Sequence, residues 1–229
     1  MRTDEQIAEI KRHHSAPTQT LNLLNQEKVN FLLDYYNNSN NVIEKNTGPK
    51  VLYVKPGEGI IDDILEKLVP IIGNFNVRSA HFFDVKRPHV LHNDDSADYP
   101  TSYKAITIPL YIDGKGIPRL VFFDQYFYHG PVKLFNGRKK ETKTYYNLAL
   151  TEYSDVENLN YTRISDCIRQ RLLTHLEERW LEGLSVQDYF PWTIGSGIIF
   201  DSLQIHCASN FLNEGVKRKV GLSIFTTRD

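Results

Sequence analysis

Two cysteines, Cys167 and Cys207, among 229 residues are too few for a disulfide framework. Net charge is nearly absent as well: 27 Lys and Arg against 28 Asp and Glu leave −1, so no global field gathers nucleic acid or an anionic membrane. Outside the C-terminal region the one basic cluster is Arg138-Lys139-Lys140, which reads as a solvated loop. No stretch approaches the roughly 18 apolar residues of a membrane span, and charges stand at the N-terminus where a signal peptide needs an apolar run. Internal repeats and low-complexity tracts are missing too. These absences lead to the expectation of a soluble, cytoplasmic protein of a reducing compartment, without nucleic-acid or membrane partners; they do not fix its oligomeric state. The length suits a single domain with a proper core.

What the chain does have is aromatic residues. Thirteen Tyr and twelve Phe bring the aromatic share to 12%, and flat rings favour pleated surfaces, which points to a β-rich core. Helical spacing is confined mainly to the first part. Thr3 is placed to cap a short helix to His13, with Gln6 at the capping-box position. A second helix starts near Asn25, carries Val29, Leu32, Leu33 and Tyr36 on one face, and ends in the run Asn37 to Asn41. Val51 to Val54 reads as a strand, and Ile60 to Leu68 as a third helix that Pro70 ends.

From Val77 the texture becomes short β-branched and aromatic runs: Val77 to Val85, His89 to His92, Ala105 to Ile112 and Arg119 to Phe123. Asp113-Gly114-Lys115-Gly116 predicts a hairpin between the last two. Residues 125–163 are irregular, polar and Tyr-rich, with Tyr126, Tyr128, Tyr145 and Tyr146. Ser165 then caps a helix whose Ile168, Leu172, Leu176 and Trp180 recur every four residues up to Gly183, a stripe suited to packing on the sheet. After Tyr189 three more strands follow, ending in Lys219 to Thr226.

Chemistry concentrates in three places. Pro191 to His206 reads as turn, buried strand, turn, histidine: Gly195 to Gly197 punctuate, Ile198 to Phe200 form the strand, and Asp201-Ser202 breaks it before His206. A lone histidine there could equally be structural. His92-Asn93-Asp94 supplies partners, because strand residues two apart share a face and can bring an imidazole and a carboxylate to one point. His89 and Asp95 stand close enough to compete for those roles. Two His and one carboxylate leave positions open on a metal, as Fe(II) and O2 chemistry needs, whereas a structural zinc wants four closed ligands. Cys207, next to His206, should face the other way.

The third place is Lys217-Arg218-Lys219 at the start of Val220 to Phe225. It could be a solvated sheet edge. In the alternation of the strand, however, Lys219, Gly221, Ser223 and Phe225 share a face, and Gly221 would leave room for an anion beside the Lys219 cation.

The order His92-x-Asp94, Ile106 to Ile112, turn, Leu120 to Phe123, Gly195 to Phe200, His206 and a basic residue 11 to 13 positions later resembles the Fe(II)/2-oxoglutarate-dependent oxygenase superfamily, from Val77 to Thr227. The resemblance implies a mainly β (α+β) fold, a double-stranded β-helix or jelly-roll barrel of the cupin class. Residues 1–229 would be one domain, with a helical flank over 1–76 and a β core over 77–229 that carries an insertion at 125–190. It implies Fe(II), 2-oxoglutarate and O2 as cofactor and co-substrates, with His92, Asp94 and His206 as metal ligands. Lys219, followed by Gly221 and Leu222, would hold the distal 2-oxoglutarate carboxylate, with Arg218 the alternative; the superfamily usually has Arg there, so Lys replaces a fork by a point charge. Tyr111 would be a second donor to that carboxylate, or ordinary packing.

The implied activity is oxidative decarboxylation to succinate and CO2 coupled to hydroxylation of a small polar molecule or a peptide side chain. The acid at position 94 speaks against halogenation. The insertion 125–190 would be lid and specificity region. A cupin-type metal-binding protein or isomerase without 2-oxoglutarate turnover, and a pseudo-enzyme, are the rival readings.

Overall fold

Three side chains start their helices as the sequence leads one to expect. Thr3 accepts from the Gln6 backbone N–H while the Gln6 side chain accepts from that of Thr3, at 2.9 Å. Asn25 accepts from Lys28 at 2.9 Å, and Ser165 caps through the Ile168 N–H. The computed structural model describes residues 2–45, 48–96, 101–132, 156–160 and 163–228. Arg138 to Lys140, Tyr145 and Tyr146 lie outside the described residues. In chain order the elements are α1 (Asp4–Arg12), β1 (Thr18–Thr20), α2 (Gln26–Asn38), β2 (Ile43–Glu44), β3 (Lys50–Val54), α3 (Asp62–Ile72), β4 (Asn76–Val85), β5 (Ser102–Asp113), β6 (Arg119–Tyr126), α4 (Asp166–Leu172), β7 (Val186–Pro191), β8 (Gly197–Asp201), β9 (Gln204–Ala208) and β10 (Arg218–Thr227).

The strands form two antiparallel sheets, one of seven strands in the order β1-β8-β5-β10-β4-β3-β2 and one of three in the order β7-β6-β9. His92 adds a bridge to β9 through reciprocal backbone bonds with His206, at 3.0 and 2.9 Å. The segment expected as a strand from His89 to His92 is therefore only a single-bridge extension. Neither sheet closes on itself. The two face each other in jelly-roll order, the pair of facing sheets that the resemblance implies.

Three apolar layers follow from the period-two alternation of the strands. Val220, Leu222 and Ile224 of β10 turn towards α2 and α3, against Leu32, Ile64 and Leu68. Between the sheets lie Phe83, Ala105, Phe122, Trp192, Ile198, Phe200 and Phe225. On the far side of the smaller sheet, Val121, Phe123, Ile205 and Cys207 pack on Leu172, Leu173 and Leu176. Leu222 is fully buried. Leu222→Ala should cost about 2–5 kcal/mol in chemical denaturation; a loss well below that would mean the layer under the helices collapses freely.

Three expectations need correction. The turn Asp113 to Gly116 does not close a hairpin: β5 pairs with β8 and β10 and β6 with β7 and β9, so the turn carries the chain between sheets. Its shape answers to a distant segment, because a Cβ on Gly114 (φ +143°) would sit 2.5 Å from the Gly215 carbonyl oxygen. The third helix runs past Pro70 to Ile72. Proline forfeits one N–H bond on the exposed side, while Gly73 N–H donates to Val69 and the Tyr103 hydroxyl donates to Ile72 at 2.7 Å, which holds the last turn. The helix after Ser165 ends at Leu172 rather than near Trp180, because the Asn210 N–H takes the Leu172 carbonyl at 2.7 Å. Trp180 instead belongs to a short 3-10 turn, Glu178–Trp180. That described half of the insertion covers the outer face of β6 and β9.

Candidate metal centre

β9 places one histidine between the sheets. His206 faces inward against Phe200, with ring centroids 4.6 Å apart, while Cys207 turns to the outer layer, as the alternation requires. The bridge from His206 to His92 sets the two imidazoles 4.2 Å apart, centroid to centroid. Asp94 follows on the same face. Its backbone N–H donates to Ser202 at 2.8 Å, its carbonyl accepts from Arg78 at 2.7 Å, and its carboxylate oxygens lie 3.7 Å from His92 Nε2 and 3.4 Å from His206 Nε2.

The two rings are locked alike. Nδ1 of His92 lies 2.7 Å from the Val90 carbonyl and Nδ1 of His206 lies 2.9 Å from that of Gln204. A carbonyl only accepts, so each Nδ1 carries a proton and Nε2 is the nitrogen turned towards Asp94. Burial alone would raise the Asp94 carboxyl; the His206 ring, then His92 and Arg78, outweigh it and hold the group below the usual carboxylate range. The Asp94 carboxylate and the two imidazoles converge with their donor atoms within 4.8 Å of one another, and such a group can hold a metal ion. The open positions left by this donor set suit Fe(II) rather than a closed structural zinc site.

The rival ligands are engaged elsewhere. Asp95 is fully buried and held by Arg2 at 2.5 and 2.7 Å and by the Ser102 hydroxyl at 2.6 Å. His89 lies tilted against His92, centroids 4.0 Å apart, but stands outside the converging donors.

The other three candidate residues separate. Lys219 is buried between the sheets, its ammonium 3.8 Å from the Trp192 ring centroid and 5.2 Å from that of Phe211, with no carboxylate in ion-pair range among the described residues. Burial pushes it down to about 7, Cys207 opposing. Arg218 lies on the opposite face of β10 and forks onto Asp84, at 2.9 and 3.0 Å. Tyr111 is with it, its ring 5.6 Å from the Arg218 guanidinium; the structure does not bring Tyr111 to Lys219. Nor does Gly221 leave room for an anion. A Cβ there would lie 2.7 Å from Phe83 and 2.9 Å from Trp192, so aromatic rings already fill that space.

Trp192 was not singled out by sequence reasoning. Its indole N–H is buried with no hydrogen-bond partner among the described residues, beside the Lys219 ammonium. The only signal was its position directly before the Gly195 turn, which says nothing of what the ring would cover.

No protein-family model matches the sequence, and no curated protein matches it. Solved structures do. The non-heme alpha ketoglutarate dependent epimerase SnoN from nogalamycin biosynthesis is 11% identical, with 97% of this chain and 82% of that one covered and a TM-score of 0.53. An oxidoreductase of the 2OG-Fe(II) oxygenase family from Burkholderia pseudomallei is 10% identical over 100% and 93%, TM-score 0.52. HygX from Streptomyces hygroscopicus, solved with nickel and 2-oxoglutarate, is 10% identical over 99% and 87%, also at 0.52. At these identities the likeness shows the fold: the chain is built as 2-oxoglutarate/Fe(II) oxygenases are.

Proposed function

We propose that this chain is an Fe(II)- and 2-oxoglutarate-dependent oxygenase that hydroxylates a C–H bond, with release of succinate and CO2. The observation that carries the reading is the convergence of His92, Asp94 and His206, with both imidazoles fixed by backbone carbonyls so that Nε2 faces the shared carboxylate. The donor set fits the metal. It supplies two nitrogens and one oxygen and leaves further positions open. Lys219 fits the co-substrate, because a buried ammonium with no counter-charge among the described residues is costly until an anion joins it.

When bound, iron with 2-oxoglutarate and O2 would supply the oxidising power for C–H cleavage. The chain's own share is positional. His92, Asp94 and His206 hold the ion; Lys219 and the Trp192 N–H meet the distal carboxylate; Phe122 and Phe200 shut water out around His206. Because one structure of this fold is described as an epimerase, the outcome at the C–H bond is the finer part of the proposal.

A cupin-type metal-binding protein or isomerase has no need of a cation buried between the sheets, and Lys219 speaks against it. Succinate formation from 2-oxoglutarate tests the choice: turnover should require Fe(II) and stop with a chelator. No turnover, together with no stabilisation by 2-oxoglutarate, would reject the oxygenase reading.

A further inference from the structure

The seven-stranded sheet is wider than the sheet facing it. β6 and β7 pack between the sheets on residues of β4, β5, β8 and β10, through Leu120, Phe122 and Phe190. On the β4 side two strands, β3 and β2, lie beyond that cover. In the register of β3 on β4, Val51 opposes Phe83 and Tyr53 opposes His81, while Leu52 and Val54 join the layer under the helices. Tyr53 thus belongs to the side of the metal centre, as does Ile43 opposite Val51; they are 51% and 54% exposed.

From this exposed end a row of ring contacts leads inward. Tyr53 and His81 rings lie 5.4 Å apart, His81 and Phe225 another 5.4 Å, and Phe225 lies 5.2 Å from the Arg78 guanidinium, which bonds the Asp94 carbonyl. At the outer end the Lys45 ammonium stands 5.8 Å from the Tyr53 centroid, and no carboxylate pairs with it among the described residues. Its neighbour Glu44 turns to Lys50 instead. His81 Nδ1 is buried without a hydrogen-bond partner among the described residues. Burial, then the Lys45 and Arg78 charges, push the His81 ring down to about 4, with Asp94 opposing, so it stays neutral.

We propose that the shelf of Lys45, Tyr53, His81 and Phe225 is the substrate subsite beside the metal centre, and that it takes an organic anion with a flat apolar body. The body lies against the exposed Tyr53 ring at the mouth of this row of rings, and the anionic group meets Lys45. This rests on the metal centre assigned above. The sign of the charge follows from the neighbours: the cations Lys45 and Arg78 face the shelf, and the acid at its inner end, Asp94, is taken by the metal centre.

The test uses the full chain without metal and a matched pair of probes, 3-phenylpropionate and 3-phenylpropylamine, followed through the His81 ring resonances by NMR. The carboxylate should bind and shift His81, and the amine should bind about tenfold more weakly or worse. Lys45→Glu, an exchange at a partly exposed position, should weaken the carboxylate by at least about tenfold, and Tyr53→Ala should weaken both probes. Lys219→Ala should leave probe binding unchanged, which separates the shelf from the 2-oxoglutarate site. Equal affinity for the two probes, no His81 shift, or an unaffected Lys45→Glu variant would overturn the assignment. Its failure is distinct from failure of the metal reading, which shows in Fe(II) binding and succinate release and needs neither probe.

Discussion

His206→Ala is expected to abolish Fe(II)-dependent 2-oxoglutarate turnover and to weaken metal binding by more than about 100-fold. The magnitude follows from known costs: loss of a group that merely orients a ligand costs about 10–100-fold, and loss of the ligand itself should exceed that. The fold should survive. What His206 contributes to the sheet is backbone pairing with His92 at 3.0 and 2.9 Å, and alanine keeps it. Circular dichroism near wild type with metal affinity lost is therefore the expected pair of results. Retained turnover would mean that another histidine is the ligand, and His89, in ring contact with His92, would be the first to test.

Lys219→Ala should raise the KM for 2-oxoglutarate by about 10–100-fold, the worth of a charge-assisted bond. Arg218→Ala should leave that KM unchanged and lower stability instead, because Arg218 spends its fork on Asp84 on the other face of the sheet. The reverse order would move the carboxylate partner to Arg218. A pH dependence accompanies the assignment. Burial lowers Lys219 to about 7, so the free site is charged below that pH and increasingly neutral above it. An anion binds the charged form, so 2-oxoglutarate affinity should fall by up to about tenfold per pH unit above 7 and level off below it. The Lys219→Ala variant should lose this slope; a slope that persists would assign it to another group.

The part of the molecule written in short-range rules was legible. Thr3, Asn25 and Ser165 cap because their side chains reach the next turn, and the period of two put Lys219 and Cys207 on their faces without reference to the rest of the chain. That His92, Asp94 and His206 belong together was legible only through the resemblance of their order to that of the superfamily, since spacing alone left His89 and Asp95 as rivals. What stayed hidden depends on contacts between distant segments. The Asp113 to Gly116 turn has hairpin chemistry, but its backbone is pressed against Gly215, so β5 and β6 go to different sheets. Gly221 looked like space until Phe83 and Trp192, remote in sequence, proved to fill it. Asp95 seemed a rival for the metal because nothing local reveals that Arg2, at the other end of the chain, holds it. Tyr111 shares the face of Arg218 rather than Lys219, a matter of strand register between β5 and β10 in which Val220 opposes Tyr111.

The central claim is that one metal and one 2-oxoglutarate meet at His92, Asp94 and His206, with Lys219 holding the far carboxylate. Anaerobic titration of the full chain with Fe(II) and then 2-oxoglutarate measures this directly. A weak visible charge-transfer band should appear only when both are present, should saturate at one equivalent of each, and should be absent from His206→Ala; no band in the wild-type chain, or a band that His206→Ala retains, would contradict the account.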